Sequence, residues 1–283
     1  MYFMIAIAVA IAVMLLGAAA TLRWSDHKAD DAERSRLIAM QSETPQLFKL
    51  TMVEDLPEPA QRYFKFTIAP GTPLLTVADI KMSGQFSLGT KEAPDYMAMS
   101  ADQILASPNG YIWKMRAAKG VMRLSGSDSG RWTRFWMMGL APVARNGGDY
   151  DHARSAFGRT AAEAAFWTPA TLLPGPAVKW ESVDDNSARA IITHASFIQD
   201  VTVSVDDAGR PIAIQFSRWS DANPKKIYQL QPFGGHLSNF KTYQGFTVAT
   251  HVEAGNHFGT DAYFPFFKVD VSNIVFPTVT ALS

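Results

Sequence analysis

Cysteine is absent from this chain of 283 residues. Its absence excludes disulfide bonds, thiolate metal sites, cysteine nucleophiles and a lipid-bearing N-terminal cysteine. It does not identify a compartment, because reducing and oxidising compartments both hold proteins without cysteine.

The sequence also lacks an excess of either charge. Its 26 lysine and arginine residues match its 26 aspartate and glutamate residues, and the basic ones form no stripe. Such a chain gives no electrostatic reason to expect a nucleic-acid partner. Charged residues make up only 18% of the chain and hydrophobic ones 47%, which is enough apolar material for a large core.

Residues 1–22 contain no charged side chain. As a helix this stretch would be roughly 33 Å long, enough to cross the hydrocarbon core of a membrane. The small residues 17–20 would suit the end of a cleaved signal peptide, but the basic residues that usually begin such a peptide are missing. We therefore expect a single-pass transmembrane anchor over residues 1–22, with a signal peptide as the alternative.

The residues after the span bear on its orientation and on the domain division. Four cations follow it, which under the positive-inside rule favours a cytoplasmic body: Arg23, Lys28, Arg34 and Arg36. We nevertheless expect the body on the periplasmic side, and the orientation stays open. Residues 23–55 begin with a run rich in charge and alanine, which predicts a juxtamembrane stalk. Residues 56–283 contain no low-complexity linker, which predicts a single domain.

Alternating polar and apolar residues dominate the chain after residue 74. They give about a dozen candidate strands at a spacing of roughly 8–12 residues, which is typical of sandwiches, barrels and half-barrels. The run Ser125–Gly130 is interpreted as a solvated turn, because it lacks the lysine and the strand–turn–helix context of a phosphate loop. The predicted fold is mainly β (α+β), a large curved antiparallel sheet or half-barrel with one or two packed helices.

A central helix near residues 150–173 interrupts the strands. Asp149 or Asp151 can cap its start, and alanines near helical spacing form a small-residue stripe that would let it lie close on a sheet. Arg159 and Glu163 are four residues apart and therefore face each other. Thr168 precedes a proline, so the helix should end there, with a short second helix up to residue 173. A further helix, with prolines in its first turn, is predicted near residues 56–64.

The same region carries the most recognisable motif of the chain. It reads Arg159-x-x-x-Glu163-x-x-x-Trp167-x-Pro169-x-x-Leu172-Leu173-Pro174. With Leu56-Pro57, Gly110-Tyr111-Ile112-Trp113-Lys114 and Met138-Gly139-Leu140-Ala141-Pro142-Val143, it resembles the bacterial domain-of-unknown-function families numbered 6544 and 6920. The resemblance covers roughly residue 56 to the C-terminus and implies no activity or catalytic residue. The chain departs from the family pattern at Ser127–Gly130 and at His251.

At the level of fold, the predicted body is also similar to periplasmic lipoprotein carriers, in which a curved antiparallel sheet holds a helix in its concavity. That similarity implies an architecture and does not establish a function.

Six residues are candidates for binding a ligand that has a polar group and an apolar part. They are Arg159, Glu163, Trp167, Trp180, Trp113 and Trp136. The alternative is that Arg159 and Glu163 form a structural ion pair between helix and sheet, with the tryptophans in the core. A weaker candidate is a metal site at His251, Glu253 and His257, which would share one strand face if alternation holds; a structural role is favoured over it.

Three functional hypotheses follow. The first, which we favour, is an envelope protein without catalytic residues or cofactor that binds a lipid or another hydrophobic ligand. The second is an enzyme with a polar centre at Arg159 and Glu163, with His251 as a further candidate. The third is a structural partner of another envelope protein, whose identity the sequence does not indicate.

Overall fold

A computed structural model describes residues 1–278. It contains three α-helices, α1 (Tyr2–Ile38), α2 (Glu58–Thr67) and α3 (Tyr150–Trp167), and short 3-10 helices at Leu50–Met52 and Pro169–Leu172. The strands are β1 (Val77–Ser87), β2 (Tyr96–Ala106), β3 (Gly110–Lys119), β4 (Met122–Ser129), β5 (Trp132–Met137), β6 (Ala141–Gly147), β7 (Val178–Asp184), β8 (Ser187–His194), β9 (Phe197–Val205), β10 (Pro211–Ser220), β11 (Gln229–Tyr243), β12 (Phe246–Asn256) and β13 (Phe264–Val275).

All thirteen strands form one antiparallel sheet. Its order is β6-β5-β4-β3-β2-β1-β13-β12-β11-β10-β9-β8-β7. Each strand pairs with its neighbour in sequence except at the centre, where β1 pairs with β13 from Asp79↔Val275 to Phe86↔Phe267. This pairing joins two hairpin series, β1–β6 and β7–β13, which are separated along the chain by α3. The predicted mainly β fold with packed helices is confirmed.

The sheet has two covered faces. We call the face under α3 the inner face; α3 packs chiefly on β9 and β10. We call the opposite face the outer face, where the second half of α1 lies over β2 and β3. On β3 these faces alternate as the strand period requires, with Trp113 in the core beneath α3 and Lys114 turned towards α1.

The second half of α1 is held to the outer face by buried acids. Asp26 accepts hydrogen bonds from both terminal nitrogens of Arg145, at 2.7 and 2.9 Å, and from the Trp136 indole at 2.9 Å. Asp30 accepts one from the Ser127 hydroxyl at 2.6 Å. Leu37 is fully buried in a small apolar cluster further along the helix. Residues 23–38, predicted as part of a stalk, therefore lie on the sheet as a continuation of the apolar helix.

The run Ser125–Gly130 is the clearest correction to the sequence interpretation. It was predicted to be a turn, but residues 125–129 belong to β4, between β3 and β5. Its small residues are required by close packing, because a Cβ built on Gly126 would lie 2.0 Å from the Arg134 carbonyl oxygen. Ser127 is buried on the opposite face of β4, where its hydroxyl donates to Asp30.

Removing the charge of Asp26 and removing that of Asp30 should have opposite effects on the docking of α1. Burial alone would raise the pKa of Asp26, but hydrogen bonds from Arg145 and Trp136 bring that pKa below its usual value. For Asp30, burial raises the pKa despite the Ser127 hydrogen bond. Ionised Asp26 thus stabilises the docked helix at pH values above the pKa that Asp26 has in the unfolded chain. This stabilisation is lost as the pH falls through the lower pKa that Asp26 has in the folded protein. Asp30, in contrast, favours docking once it is protonated.

We therefore expect Asp26→Asn to speed amide hydrogen exchange in residues 23–38 by about 10- to 100-fold at neutral pH, because hydrogen bonds to a charged group contribute roughly 1.5–3 kcal/mol. Asp30→Asn, one turn away, is the matched control and should leave exchange unchanged or slower. Equal acceleration in both variants would contradict this account of the docking.

Candidate functional site

A cavity of about 590 Å³ lies between α3 and the inner face of the sheet. Its floor and walls are mostly aromatic and aliphatic side chains from β1, β3–β6 and β10–β13, including Phe86, Trp113, Met115, Phe216, Phe233 and Phe267. Its roof is α3, which contributes Ala162, Phe166 and Trp167. Space remains because α3 presents the small Ala162 to the sheet, where a larger side chain would fill the gap. Such a cavity, apolar with a few polar groups, is typical of sites for small apolar ligands.

Arg159 organises the polar part of the cavity wall. Its Nε donates to Glu163 Oε1 at 2.6 Å, one turn along α3, and one terminal nitrogen donates to Asp128 Oδ2 on β4 at 2.8 Å. The other donates to Gln103 Oε1 on β2 at 3.2 Å. The guanidinium also lies over the Tyr111 ring, 4.2 Å from its centroid. One arginine therefore ties α3 to two strands.

The acceptors of this cluster are themselves held in place. Gln103 donates its amide to the second oxygen of Glu163, and the Tyr111 hydroxyl donates to Asp128 at 2.7 Å. Thr133 donates to the other oxygen of Asp128. Burial would lower the pKa of Arg159, but the charges of Glu163 and Asp128 outweigh it and keep the pKa above its usual value. Burial raises the pKa of Tyr111 well above its usual value. The cluster therefore holds a permanent cation and a neutral phenol.

Arg218 on β10 also lines the cavity, but its guanidinium is not paired in this way. Within residues 1–278 it makes no hydrogen bond or ion pair with the protein, and its buried Nε has no partner. It lies over the Phe233 ring, 5.0 Å from the centroid. The buried indole Nε1 of Trp113, another lining residue, also has no partner. The Arg218 guanidinium is thus a cation without an anionic partner in a largely apolar wall, whereas the Trp113 Nε1 is enclosed by the wall.

The structure brings together four of the six residues predicted to bind a ligand. Arg159, Glu163, Trp113 and Trp167 all line the cavity. Arg159 and Glu163 do form an ion pair, as the structural alternative predicts, but the pair lies within α3, and Asp128 is the carboxylate that links Arg159 to the sheet. Whether these residues bind a ligand stays a prediction.

The other two tryptophans lie elsewhere. Trp180, on β7, donates its indole hydrogen to the Leu172 carbonyl at 2.8 Å and packs edge-on against Phe64 of α2. Trp136 points to the outer face, where Asp26 accepts its indole hydrogen. The position of each tryptophan along its strand decides where its side chain lies. Proximity to Arg159 in the sequence does not indicate that location.

The structure does not bring together the three residues of the weak metal alternative, because His257 lies off the strand that carries His251 and Glu253. His251 and Glu253 face outward, because Val252 and Ala254 of the same strand line the cavity. His251 is 2.8 Å from Asp270 and 3.6 Å from Glu253, whereas His257 lies in the turn after β12 with a left-handed φ of 61°. Across residues 1–278 no group of three or more histidine, aspartate or glutamate side chains could hold a metal ion. His251 also lies on the opposite face from Arg159, so it cannot join the polar centre.

Sequence reasoning missed Asp128, Gln103 and Arg218 as site residues. Asp128 lies in the run Ser125–Gly130, which the sequence predicts to be a solvated turn and not part of a site. Arg218 did carry a signal, because strand alternation places it on the same face as Ile214 and Phe216. An arginine in an otherwise apolar row is the pattern of a buried functional cation.

Comparison with known proteins places the chain by sequence. The model of a family of unknown function, DUF6544, matches residues 46–269. The chain belongs to this family. The matched region includes every residue named above as lining the cavity, so the cavity is part of the DUF6544 domain, whereas α1 precedes it.

Two solved structures resemble this DUF6544 member distantly. One is a domain from Vibrio parahaemolyticus assigned to outer membrane lipoprotein sorting, with 13% identity and a TM-score of 0.36, covering 82% of this chain and 94% of that one. The other is a LolA superfamily protein from Nitrosomonas europaea, with 10% identity and a TM-score of 0.34, covering 77% of this chain and 92% of that one. These scores are too low to bear on function. The search of curated proteins found no match.

Proposed function

We propose that this protein is a membrane-anchored envelope protein that binds a lipid or a similar hydrophobic ligand in the cavity under α3. The observation that carries the proposal is the cavity itself, about 590 Å³ of space with a mostly apolar wall inside an otherwise packed core. Interiors of folded proteins seldom keep voids much larger than a water molecule without a use for them. The anchor is α1, the one described helix that is long and apolar enough to cross a membrane.

The polar groups of the wall support a ligand with an anionic or other acceptor group at one end. Asp128 and Glu163 are already occupied by Arg159, whereas the Arg218 guanidinium has no anionic partner within residues 1–278. A partly buried guanidinium without an anionic partner is costly, and burial lowers the pKa of Arg218. A carboxylate or phosphate beside it would restore the missing interaction, while the attached chain would lie along the aromatic wall.

The direct test is lipid analysis of the full-length protein, purified in a mild detergent and reconstituted in nanodiscs of one defined synthetic lipid. Native mass spectrometry should find a co-purified amphiphile bound to the protein and distinct from the nanodisc lipid. A protein that carries no such molecule, and whose cavity takes up no fluorescent fatty acid, would argue against the proposal.

Arg218 allows the head-group chemistry to be tested. We expect Arg218→Met to weaken binding of a fluorescent long-chain fatty acid by about 10- to 100-fold, since a hydrogen bond to a charged group contributes roughly 1.5–3 kcal/mol. The methyl ester of the same fatty acid has the same chain without the charge. It should bind the variant and the wild type alike. A lysophosphatidic acid of equal chain length tests whether phosphate is preferred over carboxylate. Equal losses for acid and ester would show that Arg218 only supports the wall.

A further inference from the structure

Three hairpins of the first half of the sheet turn at the same end. The strand registers Phe86↔Met97, Ala118↔Arg123 and Leu124↔Met137 place the turns 88–95, 120–121 and 138–140 beside one another. The opposite end of the same strands carries Val77, Ala106 and Gly110. The end with the three turns is called the rim below.

The rim exposes apolar side chains that the fold does not use. Val121 is 88% exposed, Leu140 60%, Leu88 59% and Met138 54%. Turns normally carry polar residues to water, and a group of exposed apolar tips usually marks a contact surface. The rim therefore needs a partner that accepts apolar side chains.

The path of α1 identifies that partner. Going backwards along the helix, Leu37 lies in the same small apolar cluster as Ile112, Asp30 contacts Ser127 and Asp26 contacts Trp136. This order runs towards the rim. Arg23 then reaches the tip of the β5–β6 turn, where a Cβ built on Gly139 would lie 3.3 Å from its guanidinium.

Beyond Arg23, the apolar half of α1 leaves the sheet at the rim. The helix runs without a break from Tyr2 to Ile38, so the docked half fixes the direction of the apolar half. The most apolar window of α1 is not buried against the rest of the protein. Trp24, 59% exposed and placed directly after the apolar stretch, is the residue type that favours the membrane–water interface.

The cavity also opens at the rim. Among its lining residues only three are exposed, and all lie at this end: Leu88 after β1, Met137 at the end of β5 and Val143 on β6. An apolar path thus leads from the exposed tips into the cavity. An apolar ligand that entered there would not have to cross a polar surface.

We propose that the rim rests on the bilayer surface at the foot of the α1 span, and that bilayer lipids or other membrane-borne amphiphiles enter the cavity directly from the leaflet. This inference rests on the proposed anchoring and ligand binding. The tips of the three hairpins lie among the lipid head groups, and the mouth of the cavity opens towards the leaflet. The protein takes up its ligand from the same membrane in which α1 is anchored, and the ligand does not pass through the aqueous phase.

The absence of cysteine gives a clean test, because any introduced cysteine is the only site for a thiol-reactive probe. Val121→Cys and Leu140→Cys report on the rim in the full-length protein, reconstituted in phosphatidylcholine–phosphatidylglycerol liposomes. Leu47→Cys is the matched control, since Leu47 is 51% exposed but bridges to Pro73, near the start of β1 and away from the rim. Each variant carries an environment-sensitive fluorophore.

The rim probes should show blue-shifted emission and quenching by spin-labelled lipids, while the Leu47 probe should be quenched only by aqueous iodide. Iodide quenching at all three sites would overturn the membrane contact. Protection of the rim probes from both quenchers would overturn it as well, and would indicate a protein cover.

A second variant separates this inference from the proposed function. Val121→Glu with Leu140→Glu should lose uptake of a fluorescent lipid supplied in the bilayer but still bind the same lipid supplied in detergent micelles. Unchanged uptake from the bilayer would overturn entry at the rim. A wild-type protein that binds no lipid from either source would instead reject the cavity as a binding site.

Discussion

Replacing Arg159 with methionine is expected to lower the free energy of unfolding by about 3–5 kcal/mol, the cost of removing one partner from a buried ion pair. Methionine keeps the apolar stem of the side chain but not the guanidinium, so the loss comes from charge, hydrogen bonds and the contact of the guanidinium with the Tyr111 ring. Asp128 and Glu163 would remain on the cavity wall without the cation that now donates to both, at 2.8 and 2.6 Å. Gln103 would lose its partner as well.

The dependence of this loss on pH distinguishes its cause. With Arg159 gone, the Asp128 and Glu163 carboxylates keep their negative charges without the cation that lies between them. Protonation of the carboxylates at low pH removes this penalty, so the stability gap between variant and wild type should narrow as pH falls. Urea unfolding at several pH values measures the gap.

Arg189→Met is the control for this experiment. Arg189 is partly exposed, and its nearest carboxylates are Glu181 at 3.8 Å and Asp200 at 3.9 Å. Pairs of this kind contribute about 0–1 kcal/mol, so the control should stay close to the wild type. A similar small loss for Arg159→Met would mean that the cluster does not tie α3 to the sheet.

Short-range patterns explain what could be predicted from the sequence. Arg159 and Glu163 face each other because helical spacing alone brings residues four apart together. The strands follow from alternation, which is also local. The central pairing of β1 with β13 joins segments almost 200 residues apart, and no local pattern contains that information.

The docking of α1 was missed for a different reason. Asp26, Asp30, Glu33 and Leu37 follow helical spacing and form one face of the helix. A run rich in charge and alanine after an apolar span favours a solvated stalk, which is what the sequence predicts here. Its partners Ser127, Trp136 and Arg145 lie roughly 100 residues later in the chain. The sequence does contain a signal for docking: the acidic residues share one helix face with Leu37, and arginines elsewhere in the chain could pair with them.

Filling the cavity is expected to separate stability from binding. Ala162 lines the cavity from α3, and the space in front of it is part of the 590 Å³ void. In Ala162→Phe the ring can occupy this void, so the melting temperature should stay the same or rise, as cavity-filling changes commonly add about 0.5–2 kcal/mol. The ligand would then compete with the ring for the same space. We expect its affinity to fall at least about 10-fold, equivalent to 1.4 kcal/mol.

The control Ala153→Phe makes the same change in the first part of α3, at a residue outside the cavity wall. It should leave binding of a fluorescent fatty acid unchanged.

In the membrane-reconstituted protein, Ala162→Phe should also lose the co-purified amphiphile while keeping the lipids that surround the α1 span, which separates cavity ligands from annular ones. A variant that gains stability and still binds normally would place the ligand elsewhere on the protein. Loss of both fold and binding would mean that the void cannot accept a ring, and Ala162→Leu, a smaller filling, would then decide.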